Sequence, residues 1–242
     1  MGKCLFLRKG ETHTAPISGI LASDLAVGSS VYLMENGSAV EYLVVHQGLP
    51  SSMYDDSCNG CWLLRKFVYP DATAWGDGTG RNSYKASIVY TWLNNTFFYI
   101  LGDIEQQLIK QVKIPFVNGV GGNAIASGNN GLYSKSFLLS AYEVGWSTAD
   151  YSYIPVDGAC LSFFNGTSQT DTRRIGYYRE NEPTIWWLRS PNMYNSYQVW
   201  AVMTTGIYQG LEYSKNWFLR PALILPSNAL FDKNTLILKG VA

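Results

Sequence analysis

Apolar and polar positions follow a strand-like pattern near the start of the chain. Val31-Tyr32-Leu33-Met34 and Val40-Glu41-Tyr42-Leu43-Val44-Val45-His46 are parted by Glu35-Asn36-Gly37-Ser38, and Asn-Gly between apolar runs is a strong hairpin signal. Residues 4–8 predict a further strand, and Cys61-Trp62-Leu63-Leu64-Arg65-Lys66-Phe67-Val68 another. The Gly/Asp/Asn-rich stretch 71–82 reads as a loop. From Ser87 the period changes: Val89, Trp92, Leu93 and Phe97 recur at helical spacing. A second helix is predicted from Asp103, with Gln106 three residues on as in a capping box and Ile104, Leu108 and Val112 on one face. The glycines and asparagines of 115–134 predict loop. Ser136-Phe137-Leu138-Leu139-Ser140-Ala141-Tyr142-Glu143-Val144 predicts a third, short helix. Beyond about residue 150 the chain is short apolar pieces broken by Gly, Asn and Pro, with no repeat and no linker-like composition. The pattern predicts one α+β domain over residues 1–242, with a few short helices in the middle and mixed or antiparallel strands on either side.

Composition narrows the partners. Charged residues are 15% of the chain, against about 25% in an average soluble domain. Lys and Arg (18) balance Asp and Glu (18), so a nucleic-acid partner, which needs clustered cations, is not expected. The 17 Tyr and 8 Trp fill much of the gap, and 47% hydrophobic residues can bury a sizeable core. No apolar stretch approaches the ~18 residues of a membrane span, so no membrane insertion is expected. The apolar run Cys4 to Leu7 is too short for a signal peptide, and Phe6 stands where a Gly2 myristoylation motif wants Ser or Thr. The expectation is a protein made in the bacterial cytoplasm without a signal peptide.

Motifs for chemistry are sparse. Cys58-Asn59-Gly60-Cys61 has the spacing of a zinc or redox pair, yet no second pair exists and the histidines are His13 and His46 alone. A turn carrying two half-buried thiols is the simpler reading. No nucleophile elbow accompanies either histidine, and Gly119-Val120-Gly121-Gly122 lacks the Lys-Ser/Thr ending of a phosphate loop. Asp55, Asp56 and Asp77 read as solvated loop carboxylates. No metal, no cofactor and no enzymatic activity are expected.

The informative stretch lies between two apolar flanks, Asn181-Glu182-Pro183-Thr184-Ile185-Trp186-Trp187-Leu188-Arg189-Ser190-Pro191 and Phe218-Leu219-Arg220-Pro221-Ala222-Leu223-Ile224-Leu225-Pro226. Each flank carries one arginine that would need a partner inside or at an edge. Residues 192–217 between them hold Tyr, Trp, Asn and Ser at 11 of 26 positions, with Glu212 and Lys215 the only charges. Tyr and Trp give rigid contact area at small entropic cost, and Ser and Asn give adaptable hydrogen bonds, as in antibody paratopes. Alternation over 199–205 puts Val199 opposite Trp200. Val199, Val202 and Ile207 are expected to be buried and the aromatics to face a partner.

Trp-Trp-Leu-Arg-Ser-Pro at 186–191, followed about thirty residues later by Arg-Pro-Ala-Leu-Ile-Leu-Pro at 220–226, resembles the C-type lectin-fold variable proteins of diversity-generating retroelements in phages and prophages of gut bacteria. The likeness extends to Cys4-Leu5-Phe6-Leu7-Arg8-Lys9-Gly10-Glu11, Tyr42-Leu43-Val44-Val45-His46-Gln47-Gly48, Phe137-Leu138-Leu139-Ser140 and Glu143-Val144-Gly145, and so covers nearly the whole chain. It implies a C-type lectin-like fold of the formylglycine-generating-enzyme-like branch. It also implies a non-enzymatic ligand-binding protein whose variable region is rewritten by an error-prone reverse transcriptase acting at adenines. Tyr194, Asn195, Tyr197, Trp200, Met203, Tyr208, Glu212, Tyr213, Asn216 and Trp217 would be the exposed ligand-binding set, and Arg189, Arg220, Trp186 and Trp187 the framework. The implied partner is a protein or glycan on a bacterial cell surface, met by a homo-oligomer or by a chain attached to a phage structural protein and carried in the virion.

Three departures limit the carry-over. The Glu-Pro-Asn motif of calcium-dependent lectins reads Glu182-Pro183-Thr184 here. No Cys follows Cys160, where the formylglycine-generating relatives need reactive cysteines. Phe218-Leu219 stands where Gly-Val is expected. The alternative is a fixed-specificity carbohydrate-binding module or an enzyme on a related fold, using Asp55, Asp56 or His46.

Overall fold

Asn36 and Gly37 both adopt left-handed φ, 47° and 77°, and turn strand Ser30–Glu35 into strand Ser38–Gly48 with Glu35 opposite Ser38. Positive φ at both central residues gives the turn whose twist matches that of the strands it joins. The computed structural model describes residues 19–242 apart from 80, 120, 121, 167, 169 and 170, and at 122 and 123 the backbone alone. The strand predicted over 4–8, with Cys4 and His13, lies outside the described residues.

Gly60–Arg65 pairs with the other edge of Ser38–Gly48, and Ala222–Leu225 completes an antiparallel four-stranded sheet in the order 222–225, 60–65, 38–48, 30–35. Every residue of Gly60–Arg65 and Ala222–Leu225 is buried, which is why both read as continuous apolar runs without alternation. At Gly60 a Cβ would sit 2.3 Å from the Leu225 carbonyl oxygen, so the two strands close only over glycine.

Ser87 caps the long helix, its Oγ accepting from the Tyr90 N–H at 3.0 Å. The helix runs over residues 88–100, widens to π-type turns at Leu93–Phe97, and buries Val89, Leu93 and Phe97 as their spacing predicts. The second helix, Asp103–Leu108, forms where expected but with a different inner face. Ile104 is exposed, Glu105 is buried, and Val112 begins a strand. The reason is polar: Glu105 Oε1 accepts the Met34 N–H at 2.9 Å, so the helix docks by satisfying a strand-edge donor.

Two expectations are corrected. Residues 115–134 are not plain loop, because Phe116–Gly119 pairs with Gly122–Ala126 and Val112–Ile114 with Leu132–Ser134. Residues 136–144 are not a helix. The Phe137 N–H and C=O both bond to Ala222, and the Leu139 carbonyl takes the Arg189 N–H, so the backbone is committed to neighbouring strands. Only a turn remains at Ser140–Glu143, closed by the reciprocal bonds of a capping box. Among the described residues the result is mostly β: one 13-residue helix, the shorter helix Asp103–Leu108 and several short antiparallel sheets in one compact domain. Among the described residues no helix is long and apolar enough to cross a membrane.

Four buried tryptophans tie the layers together and satisfy their own N–H groups. Trp75 Nε1 donates to the Leu188 carbonyl, Trp186 Nε1 to Arg174, Trp187 Nε1 to Thr73 and Trp62 Nε1 to Cys58. Between them Arg189 and Glu143, both fully buried, form a bidentate ion pair at 2.5 and 2.7 Å.

Beside that pair lies Asp157, fully buried, its carboxylate taking the Ser190 hydroxyl at 2.8 Å. Burial pushes its carboxyl up to about 7, against the lowering effect of Arg189 and the Ser190 hydrogen bond. An unfolded aspartate titrates near 3.9, so the fold favours the neutral form. That contribution is complete below pH ~4 and is lost as pH rises through ~7. His46, held below its ordinary value by burial, acts in the opposite sense over part of this window, so a variant must isolate the term. We expect D157N to gain melting temperature relative to wild type as pH is raised from about 5 to about 8. A gap that stays flat or shrinks would show that Asp157 is already charged in the native state.

Candidate functional site

Residues 192–217 are built around a second antiparallel sheet. Trp186–Pro191 pairs with Gln198–Val202, which pairs in continuous register with Tyr208–Glu212, Trp200 opposite Gly210. Val199, Trp200, Ala201 and Val202 are all buried, so the middle strand is covered on both faces. One cover is the core. The other is the segment around residues 146–153. Trp200 meets Tyr151 at 5.3 Å and Tyr208 at 5.6 Å, and Trp146 meets Tyr208 at 5.3 Å, all edge to face. The Trp200 Nε1 donates to the Tyr153 carbonyl, and the Tyr208 hydroxyl to the Asp150 carbonyl at 2.9 Å.

The asparagines of the stretch shape its backbone. Asn192 Oδ1 accepts the N–H groups of Tyr194 and Asn195, a local turn that Asn forms readily, and Asn195 Oδ1 does the same for Tyr197. From outside the stretch, buried Asn82 reaches in with Nδ2, donating to the carbonyls of Asn192 and Gln198 at 3.0 Å each. This pins the 192–198 loop and leaves two tyrosines outside. Tyr194 is 76% exposed and stacks on Tyr153, with centroids 4.8 Å apart. Tyr197 is 55% exposed, stacks on Tyr213 at 6.2 Å, and carries the Arg81 guanidinium 5.3 Å from its ring centre.

The ten residues named from the sequence therefore divide. Tyr194, Tyr197, Glu212 and Asn216 are exposed, and Asn195, Met203, Tyr208 and Trp217 are half-buried. Trp200 and Tyr213 are buried, at 3% and 9% exposure, which corrects their assignment to the exposed set. Trp200 goes inward because the 146–153 segment supplies a second apolar layer that no periodicity within 199–205 could reveal. Val199 and Val202 are buried as expected, but Ile207, at the hairpin turn, is 40% exposed. Sequence reasoning missed Arg81, Tyr151 and Tyr153. Asp150-Tyr151-Ser152-Tyr153 has the same Tyr/Ser character as the stretch it touches, and that was the available signal.

The framework residues lie inside: Trp186, Trp187, Arg189 and Arg220 are all buried. Among the described residues no carboxylate pairs with Arg220. Its Nε donates to the Arg65 carbonyl at 2.9 Å, its guanidinium lies 5.3 Å from the Trp186 ring centre, and burial lowers its pKa to about 9.

The groups weighed for catalysis do not converge. Asp55 caps a short turn and lies 3.9 Å from Lys113, while His46 Nδ1 faces the Ser162 hydroxyl at 2.8 Å. Cys58 and Cys61 are fully buried rather than half-buried, and burial pushes both thiols up to about 12. Among the described residues no group of three or more His, Cys, Asp or Glu could hold a metal.

The division between inner and outer positions predicts two stabilities. W200A should lower the melting temperature by roughly 6–20 °C, the cost of removing a buried indole from a domain of this size. Y194A/Y197A should change it by no more than about 2 °C. Equal losses in a thermal melt would contradict this arrangement.

No curated protein and no solved structure matches the chain. A family model described as a domain of unknown function (DUF6273) matches residues 59–227, which takes in strands Gly60–Arg65 and Ala222–Leu225 of the four-stranded sheet, the long helix and the whole of the 192–217 sheet. The match spans well over half of the chain, and the protein belongs to this DUF6273 family.

Proposed function

We propose that this chain is a non-enzymatic target-recognition protein whose residues 192–217 form a diversified binding surface. The proposed scaffold is a C-type lectin-like fold of the formylglycine-generating-enzyme-like branch, and the proposed source of diversity is adenine-directed retrohoming. The partner would be a protein or glycan on a bacterial cell surface. One observation carries the reading: the stretch separates an inward set, Val199, Trp200, Ala201 and Val202, from an outward set rich in tyrosine and asparagine. Substitutions in the outward set would leave the core intact. The surface has the composition of a paratope, and its few charges suit short-range contact over electrostatic steering.

The fixed tyrosines Tyr151 and Tyr153 extend the surface. Tyr153 is the platform on which Tyr194 stacks, so one wall of the site would stay constant while the other varies.

The DNA beside the gene tests this. We expect an imperfect repeat of the codons for 192–217, with its mismatches at template adenines, and a reverse transcriptase gene nearby. The mismatches should gather at codons 194, 195, 197, 203, 212 and 216 and spare 199, 201 and 202. If neither the repeat nor the transcriptase is present, the diversification reading fails.

A further inference from the structure

A groove of about 860 Å³ opens between the start of the 88–100 helix and residues 69–77. That volume lies within the usual range of small-molecule sites. Tyr69 and Trp92 form one wall, packed edge to face with ring centroids 4.8 Å apart, and Ile88 and Leu219 add apolar surface. Among the described residues the charged side chains lining the groove are Asp71 and Asp77, and no Lys or Arg lines it.

Both carboxylates retain capacity for a ligand. Asp77 Oδ1 accepts the Thr79 N–H and hydroxyl at 2.9 and 2.6 Å, and Oδ2 has no partner among the described residues. Asp71 forms no hydrogen bond or ion pair with any described residue. Two of the N–H groups at the helix start are already taken, that of Tyr90 by Ser87 Oγ and that of Val89 by the Trp75 carbonyl. The π-type segment Leu93–Phe97 brings Asn95 and Thr96 to the rim, and such widened turns recur at functional sites.

We propose that this groove binds a small organic cation, an ammonium group carried on an apolar or aromatic body. The ammonium lies against Asp71 and Asp77, and the body packs on Trp92 and Ile88. Aromatic faces and carboxylates both favour a cation, and the two charged side chains lining the groove are both acidic. The site is fixed, contains no residue of 192–217, and does not depend on how that stretch is read.

Three probes sharing one ring isolate the charge: phenethylammonium, 2-phenylethanol and phenylacetate, titrated calorimetrically into the full chain. Phenethylammonium should bind about fivefold to tenfold more tightly than the alcohol, the gain expected of one or two solvent-facing charge pairs, with phenylacetate weakest. Added salt should narrow the gap. D71N/D77N, isosteric and at the surface, should melt like wild type and bind ammonium and alcohol alike. Y194A/Y197A should leave phenethylammonium binding unchanged. The proposal is overturned if the alcohol binds as well as the ammonium, if phenylacetate is preferred, if D71N/D77N binds like wild type, or if phenethylammonium gives no signal at about 10 mM, where even weak sites are occupied.

Discussion

The rest of the structure hangs on the guanidinium of Arg189. It has five N–H donors, and all five are used: Nε on the Pro115 carbonyl, Nη1 on Leu138 and Glu143, Nη2 on Glu143 and Asp157. Glu143 is equally committed, taking also the Tyr54 hydroxyl and the Ser140 N–H. Three segments distant in sequence, around 115, 138–143 and 157, thus converge on one planar group. Burying such a pair is no bargain in stability, because well-packed apolar residues often do as well, but breaking one side of it costs about 3–5 kcal/mol. What the pair supplies is geometry. A fork of fixed donors accepts one arrangement of 115, 138, 143 and 157, and so fixes where strand Trp186–Pro191 lies.

That strand is the first of the 192–217 sheet, so its position passes to Gln198–Val202 and then to Tyr208–Glu212 through the ladder. The inward side chains are then determined by packing and the outward ones are not. Trp200 and Tyr208 close over Tyr151 and Trp146, while Tyr194 and Tyr197 stand on rings that do not belong to the sheet. Each outward tyrosine is therefore backed on one face by another ring, Tyr194 by Tyr153 and Tyr197 by the buried Tyr213. This pre-orders a large aromatic surface at little entropic cost, as the proposed binding role would require.

Local signals in the sequence were sufficient where local physics decides. The Asn36-Gly37 turn, the Ser87 cap and the apolar runs 61–65 and 222–225 all follow from backbone preference and continuous hydrophobicity. Elements set by a distant partner were not legible. Glu105 is buried because Met34, far away in the chain, has an N–H to satisfy, and residues 136–144 lose their helix to Ala222 and Arg189. The same holds for the 192–217 sheet. Its tyrosine and asparagine content was readable from composition, and the buried flanking residues from their apolar context. The inward turn of Trp200 and the parts played by Asn82, Arg81 and Tyr153 come from segments that meet it only in three dimensions.

The two flanks of the stretch also hold each other. The Trp187 N–H bonds to the Phe218 carbonyl at 3.0 Å, the Phe218 N–H to the Ile185 carbonyl at 3.2 Å, and Arg220 lies over Trp186. Residues 192–217 thus leave and re-enter the framework at adjacent points. The entropy lost in closing such a segment depends on its ends and only weakly on its length. Because the ends are fixed by buried groups outside the segment, changes at its outward positions do not alter that closure. On the proposed reading, tolerance of variation would be a property of the flanks, residing in Arg189, Arg220 and Trp186 more than in the tyrosines they present.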